Sequence, residues 1–174
     1  MINETIKKRK SVRKYDPEGV VTDAQIKKIL EAGMMAPSAV NSRPWEFIVV
    51  RNREKLDAVT KYHPFARMLR TAPVAIIVTA DPNVLEKCRL TKGTQFWQQD
   101  CGASVQNILL QATELGLGTC WCGIYPVEEI VIETQKLFDI PKDIVPFCVI
   151  ALGVPAEDFG GRGFYEASKV RWVE

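Results

Sequence analysis

Three cations and a hydroxyl fall close together near the start of the chain, in the run KRKSVRKY that begins at Lys8: Arg9, Lys10, Ser11 and Arg13. Guanidinium and ammonium groups around a hydroxyl, at what reads as the exit of a first helix, suit a phosphate held by charge-assisted hydrogen bonds. Taken alone, such a run is more often a solvated face. The remaining chemistry-bearing residues are sparse. His63 is the only histidine and stands beside Pro64, so a Ser-His-Asp triad or a histidine metal site would rest on one side chain that reads as exposed loop. Cys120 and Cys122 form a C-x-C with no C-x2-C pair or second cluster to complete a zinc site. They read as small apolar side chains in a tight segment between a helix and a turn. Glu128 and Glu129 fall in the first turn of a helix, where acidic groups favour the macrodipole rather than acid-base work. Side chains so arranged are badly equipped for hydrolysis, and a bound cofactor that carries the chemistry is the better expectation.

The elements that position these residues belong to one folded domain, residues 1–174. Hydrophobic residues make up 47% of the chain and charged ones 25%, ordinary for a globular protein. Lysine and arginine number 23 against 21 acidic residues, and a net charge of +2 creates no field that would imply nucleic acid or an anionic membrane. The longest apolar runs, at 74–80 and 147–152, are strand-sized and far short of the roughly 18 residues of a membrane span. The N-terminus lacks the apolar middle of a signal peptide, and the five cysteines are odd in number and mostly in apolar surroundings. A reduced, cytoplasmic compartment is expected.

Thr22 caps a helix whose apolar positions Ile26, Ile29, Leu30 and Met34 recur at helical spacing and stop before Pro37. Residues 45–50 and 73–80 read as strands, the second nearly all β-branched or alanine and therefore central. Short helices are expected at 53–62 and 64–71. The longest helical pattern runs from about Lys92 to Leu117, with an apolar face at Ala103, Val105, Ile108, Leu109, Ala112 and Leu115 too wide for a surface helix. It is expected to be buried, in the core or at a subunit interface, and glycine stops it. A helix over 127–138, a strand over 145–152 and a short tail strand over 169–173 complete the chain. Strands and helices mix without strict βαβ alternation, so the class is α+β. The GGRG at 160–163 sits in a tail rather than between strand and helix, a poor phosphate loop.

Four segments together carry more than each alone. RKSVRKY at 9–15, APSAVNSRPWEF at 36–47, LGLGTCWCG at 115–123 and the arginine of GGRG, Arg162, resemble in order and spacing the FMN-dependent nitroreductase family, over nearly the whole chain. The resemblance implies an α+β three-layer sandwich with a central, mostly antiparallel sheet flanked by helices. It also implies an intertwined homodimer that exchanges its C-terminal strand, with FMN in two active sites shared between the subunits. Arg9, Lys10, Ser11 and Arg162 match positions that hold the FMN phosphate. Arg13 matches a basic residue at the N1/C2 carbonyl edge of the ring, with Arg67 a second candidate there. Pro37, Ser38, Ala39 and Asn41 match the loop that approaches the flavin from the neighbouring subunit. Small residues there let backbone come close to a flat ring, Pro37 and Pro44 restrain the loop, and Pro44 biases Arg43 towards extended geometry. Cys122 and Gly123 fall where a backbone N–H meets flavin N5, which leaves side-chain identity free. Trp121 either lines the pocket or fills core. This sequence departs from the family at Cys122, glutamate in some relatives, and at Arg43, where glutamine is common. The tail around Val170, Arg171 and Trp172 resembles the arm that adds a strand to the partner's sheet.

By that resemblance the chain is expected to be an enzyme: NADH or NADPH gives hydride to flavin N5, and a small electron-poor acceptor, nitroaromatic or quinone, then takes its place by a ping-pong mechanism. Nucleic acid and membrane are not expected partners. Two alternatives stay open: a flavin-binding or sensing protein without physiological turnover, and a specialised member of dehalogenase, ene-reductase or flavin-destructase type. The short stretch from Lys92 to Asp100 leaves little room for the lid such relatives usually carry.

Overall fold

In a computed structural model, residues 2–158, 160 and 163–174 are described. The expected strands at 45–50, 73–80 and 145–152 are borne out in a sheet of four: β1 (Trp45–Val50), β2 (Val74–Ala80), β3 (Gly118–Gly123) and β4 (Val145–Gly153), in the order β1-β2-β4-β3 with every neighbouring pair antiparallel. Because side chains alternate across a strand, β2 feeds both faces. Val74, Ile76, Val78 and Ala80 enter one apolar cluster, and Ala75 and Ile77 enter the other.

The first cluster is closed by α2 (Asp23–Met34) and α4 (Phe96–Glu114), the second by α3 (Arg53–Tyr62), α5 (Glu128–Phe138) and a 3-10 turn at Arg67–Arg70. This is the expected three-layer sandwich. A short α1 (Glu4–Lys8) precedes them. α2 starts where Thr22 accepts from the Gln25 N–H while the Gln25 side chain accepts from the Thr22 N–H, a reciprocal cap. α2 and α4 meet closely at Gly33, where a Cβ would lie 2.8 Å from Ile108 Cγ1.

Several elements differ from expectation. α4 begins at Phe96, because residues 88–94 fold into turns in which Thr91 Oγ1 donates to the Leu85 carbonyl at 2.7 Å. Residues 64–71 form only the 3-10 turn. The C-x-C region is a strand, not a tight segment: Gly118 to Gly123 pair in register with Gly153 to Cys148. Alternation sends Cys120 and Cys122 to the buried α3/α5 face and Trp121 to the other. The tail forms a 3-10 turn at Ala167–Lys169, and 169–173 is not a strand in the single chain, since a strand needs a neighbour to pair with. No helix among the described residues is long and apolar enough to cross a membrane.

The outer edge of β3 is covered at one end only. There Ser11 bridges Thr119 in parallel, and the Val12 N–H donates to the Thr119 carbonyl at 2.8 Å. Gly118 permits this approach, since a Cβ would meet Val12 Cβ at 2.8 Å. Tyr15 then anchors the segment, its buried hydroxyl donating to the Val12 carbonyl at 2.8 Å.

Candidate functional site

The chain leaves α1 at Arg9 and runs extended onto the β3 edge, which gathers Arg9, Lys10, Ser11 and Arg13 around a cavity of about 260 Å³. Glu157, which the sequence reading did not single out, completes the lining. Its Oε1 accepts from the Arg13 N–H at 2.6 Å, and its Oε2 lies 3.9 Å from Lys10 Nζ. The Arg13 N–H, then Lys10 and Lys14, hold its pKa below the ordinary value, so it is an anion at neutral pH. A carboxylate is seated here on the Arg13 N–H with the Lys10 ammonium beside it, and Arg9, Ser11 and the Arg13 guanidinium line the same cavity, a donor set whose chemistry suits an oxyanion. The residues present therefore fit a phosphate group. Arg162 lies outside the described residues.

Farther along, no strand or bridge among the described residues pairs with the outer edge of β3. With the Thr119 carbonyl pointing outward to Val12, alternation turns the main-chain groups of Trp121 and Gly123 outward as well and those of Cys122 inward to β4. The inward donation of the Ile124 N–H to the Phe147 carbonyl at 3.0 Å follows the same alternation. Of the two candidate donors, then, the N–H of Gly123 faces the free edge. A Cβ at Gly123 would meet nothing within 4 Å, so the strand face on that side is clear. Thr119 and Gly123 are four residues apart, roughly 13 Å along an extended strand. One edge thus presents a phosphate-type cradle at one end and a free main-chain donor at the other.

The side chains along β3 take other roles. The Cys122 thiol points into the core, donating to the Phe65 carbonyl at 3.3 Å beside Met68 Sδ at 3.7 Å. Cys122, Arg13 and Ser11 draw the Cys120 thiol down, whereas its neighbour Cys120 and burial push Cys122 up. Trp121 is 37% exposed and packs its ring 5.9 Å from Phe147, on the side away from both cysteines. Arg67 is the exposed first residue of the turn whose buried Met68 touches Cys122, and it does not line the cavity.

The 36–44 loop is built around a 3-10 turn at Ala39–Asn41. The Ala39 N–H donates to Asp100 Oδ1 of α4 at 2.9 Å, and the Arg43 N–H donates to Ser38 Oγ at 3.0 Å. Arg43 also reaches back through Nε to Asn41 Oδ1 at 3.1 Å. These bonds overturn one expectation. Arg43 is left-handed at φ 49°, not extended, and Val40 (48°) and Asn41 (54°) share that region. Such a conformation is costly for a β-branched residue and marks a strained turn that its anchors must hold. Pro37, Ser38, Ala39 and Asn41 stand at the entry to β1, three interstrand spacings or roughly 14 Å from β3. Within one chain they do not join the cavity.

Two further buried groups escaped the sequence reading. Asp100 is 6% exposed, its Oδ2 has no partner, and Ser42 Oγ and Ser104 Oγ are likewise buried and unpaired. Burial raises the Asp100 pKa against the pull of the Ala39 N–H. His63 is a correction: at 1% exposure it is core, not surface loop, because the turn at 63–69 folds under β3, and among the described residues neither ring nitrogen makes a hydrogen bond. Burial depresses its pKa against the pull of the Gly123 backbone.

Comparison with known proteins places this geometry in a wider setting. The family model described as Nitroreductase family matches residues 6–65 and 58–154. A protein of Methanothermobacter thermautotrophicus, provisionally described as NADH dehydrogenase/NAD(P)H nitroreductase, is 48% identical over 96% of this chain and 84% of its own. A crystal structure from Bacteroides thetaiotaomicron with the same provisional description superposes with a TM-score of 0.89 at 39% identity, covering 99% of this chain and 98% of that one. A provisionally described nitroreductase of Desulfovibrio desulfuricans, solved in complex with FMN, superposes with a TM-score of 0.78 at 28% identity over 100% and 98% of the two chains.

Proposed function

The chain belongs to the nitroreductase family, and from that premise we propose that it is a homodimeric FMN-dependent oxidoreductase that takes electrons from NADH or NADPH and passes them to a small electron-poor acceptor, a nitroaromatic or a quinone. The observation that carries the reading is the cavity on the β3 edge, lined by Arg9, Lys10, Ser11 and Arg13, in which a carboxylate sits on the Arg13 N–H beside Lys10. Bound FMN supplies the hydride chemistry at N5, serving donor and acceptor in turn.

The residues of the chain bind, orient and tune. Arg9, Lys10 and Ser11 hold the phosphate by charge-assisted hydrogen bonds, and Arg162 adds to them. Arg13 sets a fixed cation where negative charge gathers on reduction, which makes reduction easier. The Gly123 N–H, on the open edge, is the main-chain donor towards N5. The strained loop of Pro37, Ser38, Ala39 and Asn41, too far from β3 within its own chain, serves the site of the neighbouring subunit, and the 169–173 tail gains its strand partner there. Trp121 stands on the opposite face of β3 from the cysteines and borders that site with its exposed edge. Arg67 is a second cation near the ring only if its exposed side chain turns inward on binding.

His63 is buried and Asp100 is engaged in the loop, and the acid that lines the cavity, Glu157, is taken up by the Arg13 N–H. Titration of the purified dimer with FMN, followed by oxidation of NADH or NADPH with added nitroaromatic or quinone, tests the reading. Steady turnover supports it. A yellow protein that stays oxidised with both nucleotides would identify a flavin-binding protein without turnover.

A further inference from the structure

We propose that Glu157 is a built-in counter-anion of the phosphate cradle, a residue that sets how tightly the site holds FMN and how strongly it prefers FMN over flavin lacking a phosphate. The inference rests on the reading of the cavity as an FMN site. Its ground is the placement of one carboxylate. The segment carrying Glu157 is fixed by main-chain bonds against the basic segment: the Asp16 N–H donates to the Val154 carbonyl at 2.9 Å, Tyr15 bridges Pro155, and the Ala156 N–H donates to the Lys14 carbonyl at 2.9 Å. That pairing sets Glu157 opposite Arg13 and delivers its carboxylate to the Arg13 N–H and towards Lys10. Among the described residues lining the cavity it is the only acid.

A phosphate and a carboxylate cannot share the same donors. Like charges at contact distance repel, and each oxyanion needs the N–H and the ammonium that the other would take. Glu157 occupies the Arg13 N–H and offsets the Lys10 charge before any ligand arrives, which eases the mutual repulsion of the gathered cations. It must then turn outward as a phosphate enters. The displacement opposes anionic ligands and leaves a neutral flavin untouched. The side chains of Lys10 and Glu157 are 25% and 29% exposed, so solvent screens the repulsion and the effect is moderate.

The test is titration of apo-protein with FMN and with riboflavin for wild type, Glu157→Gln and Glu157→Ala, each checked by thermal melting. The glutamine keeps an acceptor for the Arg13 N–H and loses the charge. FMN should bind the glutamine variant roughly three- to tenfold more tightly, with riboflavin shifted by less than about twofold, and the alanine variant should move the same way. FMN affinity that is unchanged or weakened, or riboflavin affinity that shifts in parallel, overturns the role of Glu157. In wild-type protein with FMN bound, a crystal structure should show the Glu157 carboxylate off the Arg13 N–H; retention of that bond overturns the proposal whatever the variants do. Wild type that binds neither flavin would instead overturn the reading of the cavity itself.

Discussion

The main-chain N–H of Ala39 donates to the Asp100 carboxylate at 2.9 Å, which ties the strained 36–44 loop to the first turns of α4. Removing the acceptor frees a turn in which three non-glycine residues hold positive φ. Asp100→Ala should cost about 1–3 kcal/mol of stability and, on the proposal that the loop serves the partner's site, should weaken FMN binding. Asp100→Asn keeps Oδ1 and offers N–H donors to Ser42 and Ser104, so it should stay within about 1 kcal/mol of wild type. Chemical denaturation and flavin titration of both variants check this.

Gly118 sets the distance between β3 and the basic segment. A Cβ there would lie 2.8 Å from Val12 Cβ, so Gly118→Ala should push residues 9–13 off the strand. The expected cost is about 1–3 kcal/mol, together with weaker FMN retention during gel filtration. Gly123→Ala, where nothing lies within 4 Å, should melt like wild type.

Arg13→Ala should leave FMN bound through Arg9, Lys10 and Ser11 and lower its midpoint potential by roughly 20–60 mV, the equivalent of about 1–3 kcal/mol for two electrons. Spectroelectrochemistry reads this directly, and an unchanged potential would count against the position assigned to Arg13.

His63 makes stability depend on pH. Its folded pKa lies below the 6.5 of the free side chain, so between those values the unfolded chain carries the extra proton and acid favours unfolding. Wild type should lose melting temperature as pH falls below about 6.5, and His63→Leu should lose less over the same range. Because His63 is the only histidine, no other imidazole masks the difference.

Local signals in the sequence were sufficient for some of this architecture. The β-branched run at 74–80 could only be a strand buried on both faces, Thr22 announced its helix through a cap, and the clustering of Arg9, Lys10, Ser11 and Arg13 survived folding intact because they are near neighbours in the chain. Contacts formed at long range were not legible. Glu157 lies 144 residues from Arg13, its partner in a 2.6 Å bond, and nothing in its own neighbourhood signals that meeting. His63 resembled surface loop because its burial depends on how 63–69 tucks beneath β3. The C-x-C segment gave no clear alternation, since glycine and cysteine mask the period that pairing with β4 imposes. Pro44 favours an extended residue before it, and the side-chain bonds of the turn override that preference at Arg43.

The central claim is that a cation-lined edge of β3 holds FMN in a two-chain site. Its most direct test is the absorption spectrum of the purified protein, taken after FMN has been supplied and free ligand removed, with NADH or NADPH then added without oxygen. The expected result is a flavin spectrum at one FMN per chain on a dimer, bleached by the nucleotide and restored by a nitroaromatic or quinone. A colourless monomer that takes up no FMN would contradict it.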